Sequence, residues 1–131
     1  QLYRNQENVK FVLDAQFGAT NEPMGTSYGS RHVELEYIFA GKTGTSQIRS
    51  ITEEERELKL KQKDLPYKRR DHALFIAFAP YKNPRYALSI VIEHGGTGSS
   101  AAAPIAKKLI KKVLDRHKLR KRYQSDLFQE V

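Results

Sequence analysis

The 131-residue chain contains no cysteine. That absence removes disulfides, thiol nucleophiles and cysteine metal sites, and it permits an oxidising compartment without requiring one. No stretch approaches the ~20 apolar residues that a membrane-crossing helix needs, and Gln1 does not open a signal-peptide pattern. Four histidines, His32, His72, His94 and His117, show no ligand-like pairing, so neither a metal nor another cofactor is expected. What is present is ordinary for a soluble globular domain, with 39% hydrophobic and 29% charged residues. The length suits one domain or part of one, with enough chain to bury a core.

The formal charge of +8 is uneven. Residues 107–122 hold nine basic side chains against one acid, Asp115, while the remainder has 14 of each sign. Such a run can meet nucleic acid or anionic lipid. No aromatic residue is interleaved in it for base stacking. The expectation is therefore a solvated helix face running into a basic tail over residues 115–131, with no nucleic-acid partner. A module for nucleic-acid or membrane-surface binding stays open as a reading of a different class.

Hydrophobic spacing predicts a helix over Asn5–Phe17, with Val9, Val12, Leu13 and Phe17 on one stripe and Gly18 as its stop. Thr20–Gly29 reads as a loop, followed by a helical turn near Ser30–Glu34. A first strand is predicted over Tyr37–Ile48, with Tyr37 and Phe39 on one face and Ile38 on the other. Ile51–Lys63 places glutamates ahead of lysines, the order a surface helix favours, and Asp64–Arg70 is a basic loop. His72–Ala79 and Tyr86–Glu93 are almost wholly apolar and read as strands buried on both faces. Tyr81-Lys82-Asn83-Pro84 joins them as a hairpin; asparagine before proline is turn chemistry, which outweighs the look of a catalytic Tyr-x-Asn box. Gly95-Gly96-Thr97-Gly98 resembles a phosphate cradle, but no lysine stands at the helix start, so a plain link is expected. A last helix runs over about Ala101–Arg116, its stripe made by Ile105, Leu109, Ile110, Val113 and Leu114. The fold class is mixed α/β.

The most chemically loaded segment is Ala40-Gly41-Lys42-Thr43-Gly44-Thr45-Ser46-Gln47. One ammonium among two glycines and three hydroxyls suits an anion, since glycines let backbone N–H groups come close. Glycine also weakens a strand as a packing unit, which strands accept where another backbone approaches. A phosphate loop requires Gly-x-x-x-x-Gly-Lys-Thr. Its first glycine falls on Glu36, whose carboxylate repels a triphosphate. The competing chemistry is the Lys-Thr-Gly strand of the penicillin-interacting serine enzymes.

Other phrases stand in a fixed order around that strand. Ala19-Thr20-Asn21-Glu22-Pro23-Met24-Gly25-Thr26 precedes it; Asp71-His72 through Ala79-Pro80-Tyr81, then Tyr86 through His94-Gly95-Gly96, then the helix from Ala101 to Leu114, follow it. Together they resemble the C-terminal part of the transpeptidase domain of class B penicillin-binding proteins, most nearly the elongation type, penicillin-binding protein 2. The resemblance covers roughly residues 8–114. It implies part of a serine D,D-transpeptidase/β-lactamase-like domain that cross-links peptidoglycan on the periplasmic side of the inner membrane. Stem peptides ending in D-Ala-D-Ala, β-lactams and the membrane cell-elongation machinery are its implied partners. A septal homologue or a β-lactamase is the alternative within the class. The family's other boxes, Ser-x-x-Lys and Ser-x-Asn, are absent from this chain. Residues 1–131 are thus expected to be a C-terminal fragment, inactive alone, whose nucleophile and membrane anchor lie upstream.

By the same resemblance, Lys42 sits beside the Ser-x-Asn serine and tunes proton transfer. Thr43 and Thr45 hydrogen-bond the terminal carboxylate of the substrate, and the Thr45 backbone N–H is one of two oxyanion donors. Gly44 keeps the strand open to a substrate backbone laid along it. Gln47 matches a substrate-side position. The resembled sheet has five strands, of which this chain supplies three, so uncovered edges and self-association of the isolated chain are expected.

Overall fold

The computed structural model describes residues 3–129 apart from Ile51 and Lys59, and within helices it leaves out the side chains of residues 56 and 120–129. Helix α1 (Gln6–Asn21) leads through 3-10 turns at Tyr28–Ser30 and Leu35–Tyr37 into β1 (Ala40–Ser46). A short α2 (Glu53–Glu57) and two more 3-10 turns precede the hairpin β2 (His72–Ala79) and β3 (Tyr86–Ile92). A π turn at Gly98–Ala102 opens α3 (Ala103–Gln129). The strands form one antiparallel sheet in the order β1-β2-β3. The architecture is the expected mixed one, three antiparallel strands with flanking helices.

Register decides which side chains share a face. Thr43 stands opposite Phe75, which stands opposite Ile90; Lys42 stands opposite Ile76, which stands opposite Ser89. Directly paired residues point to the same side of a sheet. The Thr43–Phe75–Ile90 side is the core, where Phe39, Phe75, Ala73 and Ala77 pack against Ala102, Ala103, Ala106, Ile110 and Leu114. Small residues at the start of α3 let the helix axis approach the sheet, and each fully buried phenylalanine stabilises by about 1.5–3 kcal/mol.

The other face corrects an expectation. Strands β2 and β3 are not buried on both sides, because Ile76 is 49% and Val91 56% exposed. Helix α3 lies over one face only, while α1 meets the opposite face near its corner, where Phe17 and Phe78 both pack on Tyr81 at ring distances of 4.4 and 6.2 Å. The Tyr81 hydroxyl donates to Asp14 Oδ1 at 2.7 Å, which raises its pKa and ties the hairpin to α1.

Several boundaries shift for local reasons. Helix α1 starts after Asn5, whose side chain accepts from Glu7 N–H at 2.8 Å. It passes Gly18 and ends at Asn21, whose amide donates back to Phe17 O at 3.1 Å. The turn expected near Ser30–Glu34 is split between Tyr28–Ser30 and Leu35–Tyr37. Strand β1 begins at Ala40 because Tyr37 is in that second turn, aiming its hydroxyl at Asp115 with the Lys111 ammonium 4.1 Å from its ring centroid.

The helix expected over Ile51–Lys63 shrinks to Glu53–Glu57, and Ile51 and Lys59 lie outside the described residues. Thr52 and Glu55 cap its start reciprocally, at 3.2 and 3.3 Å, and Glu55 also pairs with Arg49 and Arg69. Helix α3 runs on past Arg116 to Gln129, since neither glycine nor proline follows Pro104 and lysine, leucine and arginine favour helix. The basic tail is therefore helical as far as Gln129, with Glu130 and Val131 outside the described residues. Among the described residues no helix is long and apolar enough to cross a membrane.

Candidate active-site strand

Strand β1 lies at one edge of the sheet. An edge strand sends the backbone groups of alternate residues toward its neighbour and away from it. Phe39 O accepts from Asn21 Nδ2 at 2.9 Å and Gly41 O accepts from Thr20 Oγ1 at 3.2 Å, so both carbonyls face outward. The register is unbroken from Ala40 to Ser46. It follows that the N–H and C=O of Thr43 and Thr45 also face outward.

The first half of that outer edge is occupied. Thr20 is fully buried, and its hydroxyl lies 3.3 Å from Ser27 Oγ, which donates to Ala19 O at 3.0 Å. Thr26 and Thr43 join their hydroxyls at 3.2 Å. The end of α1 and the loop behind it thus form a rail along Phe39–Thr43. Beyond the rail, no hydrogen bond among the described residues engages the Thr45 N–H.

The two strand glycines have different jobs. A Cβ on Gly41 would fall 2.5 Å from Ile76 O and 2.6 Å from Phe75 Cζ, so Gly41 is required by packing. A Cβ on Gly44 would meet only Leu74 Cβ, at 3.3 Å. Gly44 is therefore not demanded by this chain's own packing, which leaves room for an external backbone.

Of the residues singled out from the sequence, four are consecutive on β1. Lys42 and Gly44 lie on the sheet face opposite the core, Thr43 and Thr45 on the core-side face. Lys42 is exposed, and its ammonium donates to Thr43 O at 2.9 Å. Among the described residues it has no carboxylate ion partner, although Asp14 and Glu22 line the groove beside it with Phe11 and Met24. Gln47 is exposed just beyond the strand. Such an edge offers a cation, two hydroxyls and an outward N–H to an extended anionic chain.

Sequence reasoning missed the rail. Thr20, Asn21 and Thr26 stand in a phrase that carries the family resemblance, but neither they nor Ser27 signal in sequence that their side chains line β1. It also missed Asp71, nearly buried, which accepts from Ile48 N–H at 3.2 Å and Gln62 Nε2 at 2.7 Å just past the strand's end. The glycine loop is no phosphate cradle: a Cβ on Gly98 would lie 2.3 Å from Leu74 O. Among the described residues no three histidine, aspartate or glutamate side chains converge as a metal site.

The family model "Penicillin binding protein transpeptidase domain" matches residues 6–111. The chain is 39% identical over 104 residues to the peptidoglycan D,D-transpeptidase MrdA of Salmonella typhimurium, covering 79% of the chain and 16% of the relative. To the protein of the same name from Escherichia coli it is 33% identical over 106 residues, 81% of the chain and 15% of the relative. The fold is similar to Helicobacter pylori PBP2 in its complex with MreC, with a TM-score of 0.68 and 29% identity over 86% of the chain and 18% of that protein. Pseudomonas aeruginosa PBP2 in complex with WCK 5153 gives a TM-score of 0.64 at 28% identity, over 86% of the chain and 21% of that protein. The chain spans about a sixth of the length of these curated relatives.

Proposed function

Because this chain belongs to the penicillin-binding protein transpeptidase family, we propose that it is the C-terminal portion of a peptidoglycan D,D-transpeptidase of the elongation type. In this reading β1 is the edge on which the stem peptide ending in D-Ala-D-Ala lies. A serine outside this chain attacks the penultimate D-alanine carbonyl. The tetrahedral oxyanion accepts a hydrogen bond from Thr45 N–H and another from the nucleophile's own N–H. Collapse expels the terminal D-alanine, and the amine of a second stem peptide then takes the acyl group and frees the serine.

Each β1 residue has a part in that sequence. Thr43 and Thr45 hydroxyls hold the substrate carboxylate. Lys42, on the opposite face, sits beside the Ser-x-Asn serine, also outside this chain, where it tunes proton transfer and raises the local positive potential. Gly44 lets the substrate backbone pass close, and Gln47 flanks the strand on the substrate side. A β-lactam carries a carboxylate in the equivalent place and so acylates the same serine. Removing one oxyanion donor costs about 10²- to 10³-fold in rate, which is the scale of Thr45's expected contribution.

The observation that carries this reading is the outward, unengaged Thr45 N–H beside a glycine that packing does not require. The curated relatives are named peptidoglycan D,D-transpeptidases, which favours a transpeptidase over a β-lactamase function. The same reading sets the catalytic domain on the periplasmic side of the inner membrane; the similar PBP2 solved in complex with MreC supports work alongside cell-elongation proteins. Incubation of the intact parent with a fluorescent penicillin tests it. A covalent, heat-stable band on the parent and none on residues 1–131 alone is expected; no band on a folded parent contradicts the reading.

A further inference from the structure

Resting on that transpeptidase reading, we propose that Asp71 and His72 are positioning residues for β1, clamping both the end of the strand and the glycine turn that supports it. His94 is the starting point. Its φ of 54° lies in the left-handed region, where a side chain other than glycine is disfavoured. Something must hold it there. The His94 N–H donates to His72 Nδ1 at 2.9 Å, and His94 Nδ1 lies 3.1 Å from Arg70 O. A carbonyl only accepts, so His94 Nδ1 carries the hydrogen while His72 Nδ1 is a bare acceptor. The two rings stand 4.9 Å apart, and the Tyr67 ring packs 5.1 Å from His94.

The turn so held leads back to the strand. Gly96, at φ 88°, donates its N–H to Asp71 O at 2.9 Å. Two residues on, Gly98 lies over the backbone of β1 and β2, where a Cβ would come within 2.7 Å of Gly44 O and 3.1 Å of Gly44 N. From the other side, Asp71 Oδ1 accepts the Ile48 N–H, and Gln62 closes a reciprocal pair with Asp71 through bonds of 2.7 and 2.9 Å. One dipeptide therefore fixes the backbone next to Gly44 and the backbone just past Ser46. Thr45 N–H lies between the two. Neither Asp71 nor His72 lies on the edge offered to substrate, so they act through the strand. A displacement of about 1 Å at an oxyanion donor costs on the order of 10²-fold.

Three variants of the intact parent test the clamp. His72→Asn sets an amide oxygen where Nδ1 stands, His72→Gln sets it further out, and His72→Leu removes the acceptor. Penicillin acylation is resolved into initial binding and the acylation rate constant, and hydrogen exchange is followed in a peptide covering β1. The asparagine variant should keep the rate constant within about twofold, whereas the glutamine and leucine variants should lose about 10-fold or more, with faster exchange in β1 and little change in initial binding. Equal rates in all three, or an asparagine variant as slow as the leucine one, would overturn the proposal. Should His72→Leu fail to fold, the asparagine–glutamine comparison decides. Failure of the wild-type parent to take penicillin would refute the transpeptidase reading, while exchange in β1 would still judge the clamp.

Discussion

Gly98 and Gly44 lie so close that a Cβ on the first would sit 2.7 Å from the carbonyl oxygen of the second. Backbone cannot withdraw cheaply from such a clash. Gly98→Ala should therefore destabilise the domain by about 1–3 kcal/mol, the usual cost of overpacking. Gly44→Ala meets only Leu74 Cβ at 3.3 Å and should leave stability within about 1 kcal/mol while impairing acylation. Denaturant unfolding of the two variants of the parent checks the contrast; equal destabilisation would show that Gly44 is a packing glycine too.

Lys42 has no carboxylate partner among the described residues, so its loss should affect chemistry more than folding. In the parent, Lys42→Ala should lower penicillin acylation by about 10²-fold or more. Lys42→Arg should also be poor, because a planar fork does not replace a compact ammonium. Thr45→Val should mainly weaken binding, by about 1.5–3 kcal/mol for a hydrogen bond to a charged group, since the backbone donor stays. A normal rate for Lys42→Ala would remove the lysine from the mechanism.

The sheet and its central chemistry were legible because they are local. Alternation is not needed to find His72–Ala79, an apolar run bounded by a charged loop and a proline turn, and β2 has those limits. Lys42-Thr43-Gly44-Thr45 is a contiguous string, so its presence on one strand could be read directly. What escaped are contacts made over distance: Thr20 to Gly41, Asn21 to Phe39 and His72 to His94 join residues 18–22 positions apart. Two-sided burial of β2 and β3 was misjudged for a related reason. Apolarity records what a strand can bury, whereas Ile76 and Val91 are exposed, with no helix among the described residues covering them.

Helix α3 is fastened to the sheet's approach by Tyr37–Asp115 and Lys118–Glu36. The Tyr37 hydroxyl, then the Lys111 ammonium, hold Asp115 below the usual carboxylate range, and Lys118 does the same for Glu36. A depressed folded pKa contributes stability that is present above the unfolded value, about 4, and lost as pH falls through the folded value. The domain should thus lose stability below about pH 4, and Asp115→Asn should flatten that acid limb. Thermal melts across pH 2–6 follow it; an unchanged acid limb in the variant would assign the loss elsewhere.

Ile76 and Val91 on the open face, and the outer edge of β3, which pairs with no strand among the described residues, are two surfaces suited to association. At micromolar concentration the isolated chain should sediment as a species larger than 15.1 kDa. A stable monomer that unfolds cooperatively would show that three strands and their helices suffice to close a core.

In the proposed function, the outer edge of β1 holds the substrate's carboxylate and oxyanion. A crystal structure of the intact parent acylated by a β-lactam tests it most directly. The carboxylate should lie within hydrogen-bond reach of the Thr43 and Thr45 hydroxyls, and the acyl oxygen about 2.7–3.1 Å from Thr45 N. An acyl oxygen held by other donors, with the carboxylate away from β1, would contradict it.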